Sequence, residues 1–532
     1  MYGEFYLDSI DNPYIRNLIS FIKMDLNYLA LAKRLCCLLI LAGLSFHCQS
    51  PVSTAPLLSQ DEQLQNARRI AEQKCGSCHL FPEPNLLDKK TWSSSVLPAM
   101  KPFVIDSEDS KGFIERIFRK KTLSKLEIEY RQIEAYYMHE APDALSQMTV
   151  QLPISGIPGF EVIEPDFKIN RATLTTFVQW DSISGHLWVG DRLNQIFELN
   201  PKDFSILSKI ETSGTPVQLH ALSLNNLEIL TMGKMDPADL FQGQLINYLK
   251  DSKSVEVIID SLNRPVNMIR LPASMSEKDK AVRNIISSFG NSKGSLDIFS
   301  TTEKTVLRST AGARRSIAVD WDNDGLMDVI AGFGQALEGV FWFKNIGNGK
   351  FETIPLLEFH PLFGLSDLSI RDINQDGFED LIVSNGDNAD LSPILKPYHG
   401  IRIFYGDGTR EVTKGWFYPM PGATSIISGD FDRDGSIEIA AVSYFPDFSQ
   451  KERLDWLYFD NIESSNPEVF RLPISIKGNW LTLSYGDFDQ DGDLDIITSS
   501  FVFQGGTPDA DTDYDYSIPW QPFFILENKL ID

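Results

Sequence analysis

Cys75-Gly76-Ser77-Cys78-His79 places two thiols three positions apart and an imidazole directly after them. One helical turn can then bond both vinyl groups of a haem and present His79 to the iron. A redox dithiol is the other chemistry open to this spacing, and it is expected within a βαβ pattern that the flanking sequence lacks. A second group of reactive side chains recurs four times: Asp320-Trp321-Asp322-Asn323-Asp324-Gly325-Leu326-Met327-Asp328, Asp372-Ile373-Asn374-Gln375-Asp376-Gly377-Phe378-Glu379-Asp380, Asp430-Phe431-Asp432-Arg433-Asp434-Gly435-Ser436-Ile437-Glu438 and Asp487-Phe488-Asp489-Gln490-Asp491-Gly492-Asp493-Leu494-Asp495. Oxygens at positions 1, 3, 5 and 9, with a carbonyl added at 7, can wrap a hard cation, and glycine at 6 permits the tight turn. Calcium is the expected ion, up to four per chain. A closed oxygen cage leaves no open position for a substrate, so the expected role is structural.

The elements around the first motif read as helices. Residues 63–74 place Leu64, Ala67, Ile70 and Ala71 on one face, and residues 122–139 repeat the pattern with Leu126, Ile133, Tyr136 and Tyr137. Over residues 60–145 the chain resembles the c-type cytochrome family, which implies terminal helices packed around a covalent haem. The resemblance also implies a sixth iron ligand between them. Met100 is the methionine in that interval, a short way after His79, and a thioether opposite histidine raises the reduction potential. A core methionine is the alternative role, and Met138 and His139 are alternative ligands. Trp92 is expected near the macrocycle, with Pro82 and Pro84 stiffening the loop after the attachment motif.

The elements around the acidic loops read as strands. An EF-hand would need a glutamate at position 12 and flanking helices, whereas apolar alternation follows here, as in Leu494-Asp495-Ile496-Ile497-Thr498. The loops begin at Asp320, Asp372, Asp430 and Asp487, a nearly constant period, and each is followed by an aromatic-rich strand such as Val340-Phe341-Trp342-Phe343. Three degenerate copies precede them, at residues 177–199, 219–248 and 266–299. Seven units of about 50 residues predict a mainly β chain with a seven-bladed β-propeller of four-stranded sheets, six or eight blades being the alternatives. Over residues 165–528 the sequence resembles the FG-GAP or VCBS repeat family of calcium-binding blades, with Phe289-Gly290 and Gly332-Phe333-Gly334 echoing its Phe-Gly element. No Gly-Ala-Pro follows.

The five cysteines are Cys36, Cys37, Cys48, Cys75 and Cys78, all ahead of the repeats, so no disulfide framework holds the propeller. With 73 acidic against 48 basic residues, the chain lacks the cationic surface that nucleic acid requires. Lys33 and Arg34 precede a short apolar run, Leu35 to Phe46, that reads as an export signal. It is shorter than the roughly 20 residues of a membrane span. Met24 is a candidate natural start. Leu44-Ser45-Phe46-His47-Cys48 resembles a bacterial lipoprotein signal, which implies a lipid anchor on Cys48 as the only membrane contact; His47 departs from the small residue of that pattern, and ordinary cleavage nearby is the alternative.

The expected organisation is an export signal at 1–50, a small all-α haem domain at 51–150 and the propeller at 151–532. The expected location is the periplasm, or the cell surface of a bacterium. Three functions compete: an electron carrier acting with an unidentified redox partner, a propeller-based dehydrogenase feeding the haem, and a surface module binding glycan or protein. The carrier is favoured, because one haem moves one electron and nothing in the propeller marks a second redox site. His186, His220, His360 and His399 read as turn or packing residues, and Arg264, Arg270 and Arg308 as candidates to face a central channel.

Overall fold

The computed structural model describes residues 59–105, 124–146, 148, 150–165, 173–271, 283–300, 303–335, 337–386, 391–450, 453–464, 467–473, 478–502 and 521–530. The expected export signal and Cys48 lie outside them. Residues 64–532 form one compact unit. Among the described residues no helix is long and apolar enough to cross a membrane.

Short strands separated by turns fold the β part into successive antiparallel meanders. Six blades are contiguous, at 175–211, 216–262, 265–308, 313–358, 365–419 and 423–471. Blade seven takes three strands from 480–528 and its fourth from the other end of the unit: Phe160–Ile163 pairs antiparallel with Phe523–Asn528. The first strands of consecutive blades contact one another round a closed ring, with Trp480–Gly486 against Thr175–Asp181 completing it. The chain is thus mainly β, a seven-bladed β-propeller. Ile154–Ser155 adds a fifth, parallel strand to the rim of blade six.

Each blade is sandwiched between two others, so its second strand is apolar on both faces. Asp328–Phe333, Asp380–Asn385, Glu438–Ser443 and Asp495–Ser500 are buried along their whole length. The outer strands alternate, as Phe351–Glu358 does, because one of their faces meets water.

Among the described residues before the propeller, the longer helices are α1 (Gln60–Cys75), α2 (Leu97–Ile105) and α3 (Lys125–Glu140). A π turn at Trp92–Val96 leads into α2. Ser124 and Glu127 cap α3 reciprocally, which satisfies donors that the first turn would otherwise leave free. Ala67, Ile70 and Ala71 of α1 pack with Trp92, Val96 and Leu97 and with Ile133, Tyr136 and Tyr137 of α3.

Candidate functional site

Helix α1 ends at Cys75, and Ser77 Oγ donates to the carbonyl of Lys74 as the chain turns away. Neither Cys75 nor Cys78 is in a disulfide. Burial pushes the Cys75 thiol up to about 11, opposed by a hydrogen bond with Tyr137. His79 Nδ1 lies 2.8 Å from the carbonyl of Leu80, which directs Nε2 to be the metal-binding nitrogen. The donor set therefore fits a covalently held haem: two free thiols, an imidazole with one nitrogen already engaged, and an aromatic core beside them.

That core is tied to the loop after the motif. Tyr137 donates to the carbonyl of Pro82 at 2.7 Å, and Trp92 Nε1 to that of Pro84 at 2.8 Å. Trp92 is 1% exposed with its ring 4.4 Å from Tyr137. Met100, on α2, packs half-buried against the same cluster, as does Met138. His139 is exposed on the last turn of α3, paired with Glu140 at 2.8 Å. Met100 thus shares the small core to which Tyr137 links Cys75, while Cys78 is exposed and His139 stands outside.

Propeller residues that carry no motif complete this region. Leu362, from the connection between blades four and five, and Ile394, from a loop of blade five, pack on the helical core, and Tyr398 donates to the carbonyl of Leu86 at 3.0 Å. His360 lies against the backbone of Phe81 and within electrostatic reach of Glu83 and His79, with its imidazole held below the usual range by burial. Buried His399 braces the wall from behind through Nε2, 3.0 Å from the carbonyl of Leu362. No spacing in the sequence marks these residues, because their partners lie far away along the chain.

The four acidic loops each connect the first and second strands of a blade, in blades four to seven. They share one backbone conformation. Position 4 has positive φ in all four, at Asn323, Gln375, Arg433 and Gln490, and so does the glycine at 6, from +85° to +102°. A Cβ at Gly325, Gly377 or Gly435 would meet nothing within 4 Å, so glycine is there for the backbone conformation alone. Side-chain oxygens converge within 4.8 Å in three loops: Asp320, Asp322 and Asp328; Asp430, Asp432, Asp434 and Glu438; and Asp487, Asp489 and Asp491. The second loop, Asp372, Asn374, Asp376 and Asp380, has the same turn but no such cluster of carboxylates.

Position 9 has a task that its motif does not reveal. The buried carboxylates of Asp328, Asp380 and Asp495 each accept from two backbone amides, one at position 2 and one on the third strand: Trp321 and Asn345, Ile373 and Gly406, Phe488 and Asn528. Glu438 accepts from Phe431 N and Ser436 Oγ. These acids pin the loop to its blade. Burial pushes Asp328 and Asp380 up to about 6, and Glu438 and Asp495 up to about 7. Adjacent loops are linked along the rim: Gln375 Nε2 donates to the carbonyl of Gly435 at 2.6 Å, and the Arg433 guanidinium donates to that of Gly492.

The first strands enclose a central cavity of about 370 Å³, lined on one side by Arg314, Arg315 and Asp367. The expected arginines are engaged elsewhere. Arg264 donates to the carbonyls of Met235 and Gly290, Arg270 approaches Glu228 at 3.7 Å, and Arg308 lies over the ring of Phe341. Polar rungs join neighbouring first strands, as where Asn267 accepts from Ser316 N and Asp367 from Ser425 Oγ, both at 2.9 Å.

Residues 320–383 match the family model described as FG-GAP-like repeat, which spans the loops and second strands of blades four and five. No curated protein sequence matches the chain. Among solved structures, the N-terminal domain of Nup159 is similar at 9% identity over 72% of this chain and 98% of that one, with a TM-score of 0.42. The Cps50 (Swd1) β-propeller domain of Myceliophteria thermophila is similar at 9% identity over 69% and 99%, with a TM-score of 0.42. The Pan2 WD40 domain of Neurospora crassa is similar at 10% over 66% and 95%, with a TM-score of 0.41. The blade count rests on the strand pairing itself.

Proposed function

We propose that the chain is an exported electron carrier in which a monohaem c-type cytochrome domain, residues 51–150, is held by a calcium-binding propeller, residues 151–532. The observation that carries this reading is the free Cys75-Gly76-Ser77-Cys78-His79 set at the end of α1, placed against a wall built by blade five. Cys75 and Cys78 would hold the haem as thioethers, and His79 and Met100 would ligate its iron. When bound, the haem supplies one-electron chemistry.

The residues around it have separable tasks. Trp92, Tyr136 and Tyr137 exclude water from the motif's inner side, which favours the less charged, reduced iron and so a high potential. Tyr137 and Trp92 fix the 82–84 backbone that follows His79. Tyr398, Leu362 and Ile394 hold the helical part to the propeller and so fix which edge a redox partner can approach. One or more of the four acidic loops would take calcium, up to four ions in all, and so keep those blades in shape. Cys48, as a lipid site, would place the assembly at a bacterial membrane surface facing the periplasm or the exterior.

The test is expression in a host that matures c-type cytochromes. The mature chain should gain the mass of one haem and, when oxidised, show the weak far-red absorption of a methionine-to-iron bond. Met100→Ala should abolish that band and lower the potential by on the order of 100 mV or more. A chain without the added mass would sink the carrier reading; an unchanged band in Met100→Ala would remove Met100 from the iron.

The polar central cavity favours a second reading, a propeller-based dehydrogenase that reduces the haem. Haem reduction on adding sugars or alcohols with a quinone cofactor would support it. Glycan binding without reduction would point instead to a surface binding module.

A further inference from the structure

The four acidic loops share a backbone but differ in the group that the blade's third strand places over them. Strand pairing fixes the equivalence: Val329 pairs with Phe343, Leu381 with Phe404, Ile439 with Phe459 and Ile496 with Leu526. The next residue is therefore Lys344 in blade four, Tyr405 in blade five, Asp460 in blade six and Glu527 in blade seven. The group over the loop is thus a cation in blade four, a neutral phenol in blade five and an acid in blades six and seven.

Lys344 Nζ pairs with Asp322 Oδ2 and lies 3.4 Å from Asp324. Both oxygens of Asp320 are occupied as well, accepting from the amides of Asp324 and Gly325 at 3.0 and 2.9 Å. In blade six the arrangement is reversed. Asp460 lies within electrostatic reach of Asp432 and Asp434; one buried oxygen each of Asp430 and Asp460 has no hydrogen-bond partner, as is also true of Asp322 Oδ1 in blade four, so the difference between the loops is the sign of the third-strand group. Blade seven follows blade six: Glu527 acts on Asp489, and a buried oxygen of Asp487 is likewise unpartnered. Lys529, 2.7 Å from Glu527, offsets part of that charge.

We propose that Lys344 is a built-in cation that replaces the metal in the blade-four loop, whereas Asp460 completes a divalent-cation site in the blade-six loop. This rests on the reading of the loops as calcium sites. An ammonium already among the carboxylates repels an incoming dication and occupies oxygens that it needs, while an added carboxylate attracts it. Blade four thereby keeps its loop closed in the absence of calcium.

The experiment counts calcium bound to the full chain after chelator stripping and titration with calcium alone, by calorimetry and metal analysis. Wild type should bind at least one ion and fewer than four. Lys344→Met should add one ion, and Asp460→Lys should remove one; if Asp460→Lys does not fold, Asp460→Asn should weaken one site by about tenfold. Four ions in wild type, or a count unmoved by Lys344→Met, would overturn the proposal while leaving the calcium reading in place. No ion in wild type or in Lys344→Met would instead reject the calcium reading, and this proposal with it.

Discussion

In blade one, the buried carboxylate of Glu198 is met by His186 at 2.8 Å, Ser208 at 2.5 Å and Lys250 of blade two at 2.6 Å. In blade six, Asp430, Asp432, Asp434 and Glu438 face one another instead. The comparison extends to the arcs on either side. In blades one to three, acids find donors within the protein, as Asp239 does with the amides of Asn291, Ser292 and Lys293. In blades four, six and seven, acids are gathered in loops, and under the proposed calcium reading an ion would supply the opposite charge that blades one to three find within the protein. Lys344 brings an internal cation of the same kind to the blade-four loop.

Removing divalent ions should separate the arcs most sharply. At free calcium about tenfold above its dissociation constant, each occupied site adds about 1.4 kcal/mol, so chelation should lower the melting temperature. Amide exchange should accelerate in blades five to seven while blades one to three keep their protection. A melting curve indifferent to EDTA would erase the distinction.

Glu198→Ala tests the other arc. It strands Lys250 and His186 beside a vacated buried position and should cost about 3 kcal/mol. That loss, measured by denaturant titration, should be the same with calcium and with chelator; a calcium-dependent loss would mean that the arcs are not independent.

The smallest expected effect is on acid stability, and it should appear in both arcs. Burial, then the charge of Arg270, lowers His220 to about 4; burial, then the charge of Lys396, lowers His399 to about 3. An imidazole held neutral in the fold leaves stability intact above its unfolded value near 6.5 and withdraws it as pH falls toward the lowered value, because only the unfolded chain gains the proton. The raised carboxylates Asp328, Asp380, Glu438 and Asp495 oppose this loss, because over the same range the fold binds the proton before the unfolded chain does. The histidine effect is therefore a difference between proteins: relative to wild type, chelated His220→Gln should gain melting temperature as pH falls from 6.5 to 4. An unchanged slope in the variant would assign the loss to other groups.

The ring was largely legible because its signals are local. Glycine at position 6, acids at 1, 3 and 5, and an aromatic strand shortly after them all lie within a single blade, and blades repeat. The thiol–imidazole motif is local too, running without a gap from Cys75 to His79. What could not be read involves partners distant in sequence. Phe160–Ile163 resembles any short strand, and nothing near it announces Phe523–Asn528 as its neighbour. Tyr398 and Leu362 look like loop residues until the helical core is set against them. Position 9 was legible only in part: a carboxylate that faces a cation and one that accepts backbone amides have the same spelling, so the amide contacts of Asp328, Asp380 and Asp495 emerge only from the fold. The third-strand residues Lys344, Tyr405, Asp460 and Glu527 had a signal, their fixed offset from each loop, which emerges only when the four copies are aligned by strand pairing.

The strand at Phe160–Ile163 must wait for its neighbour. Six whole blades are synthesised between the two contributors to blade seven, so the circle cannot be shut until residues 523–528 have emerged. Those blades form with an open seam, and the seventh sheet assembles only after both of its contributors are available. A ribosome stalled before Phe523 would thus leave a near-complete disc with two unzipped edges, which makes this seam the place where quality-control machinery would recognise an unfinished product.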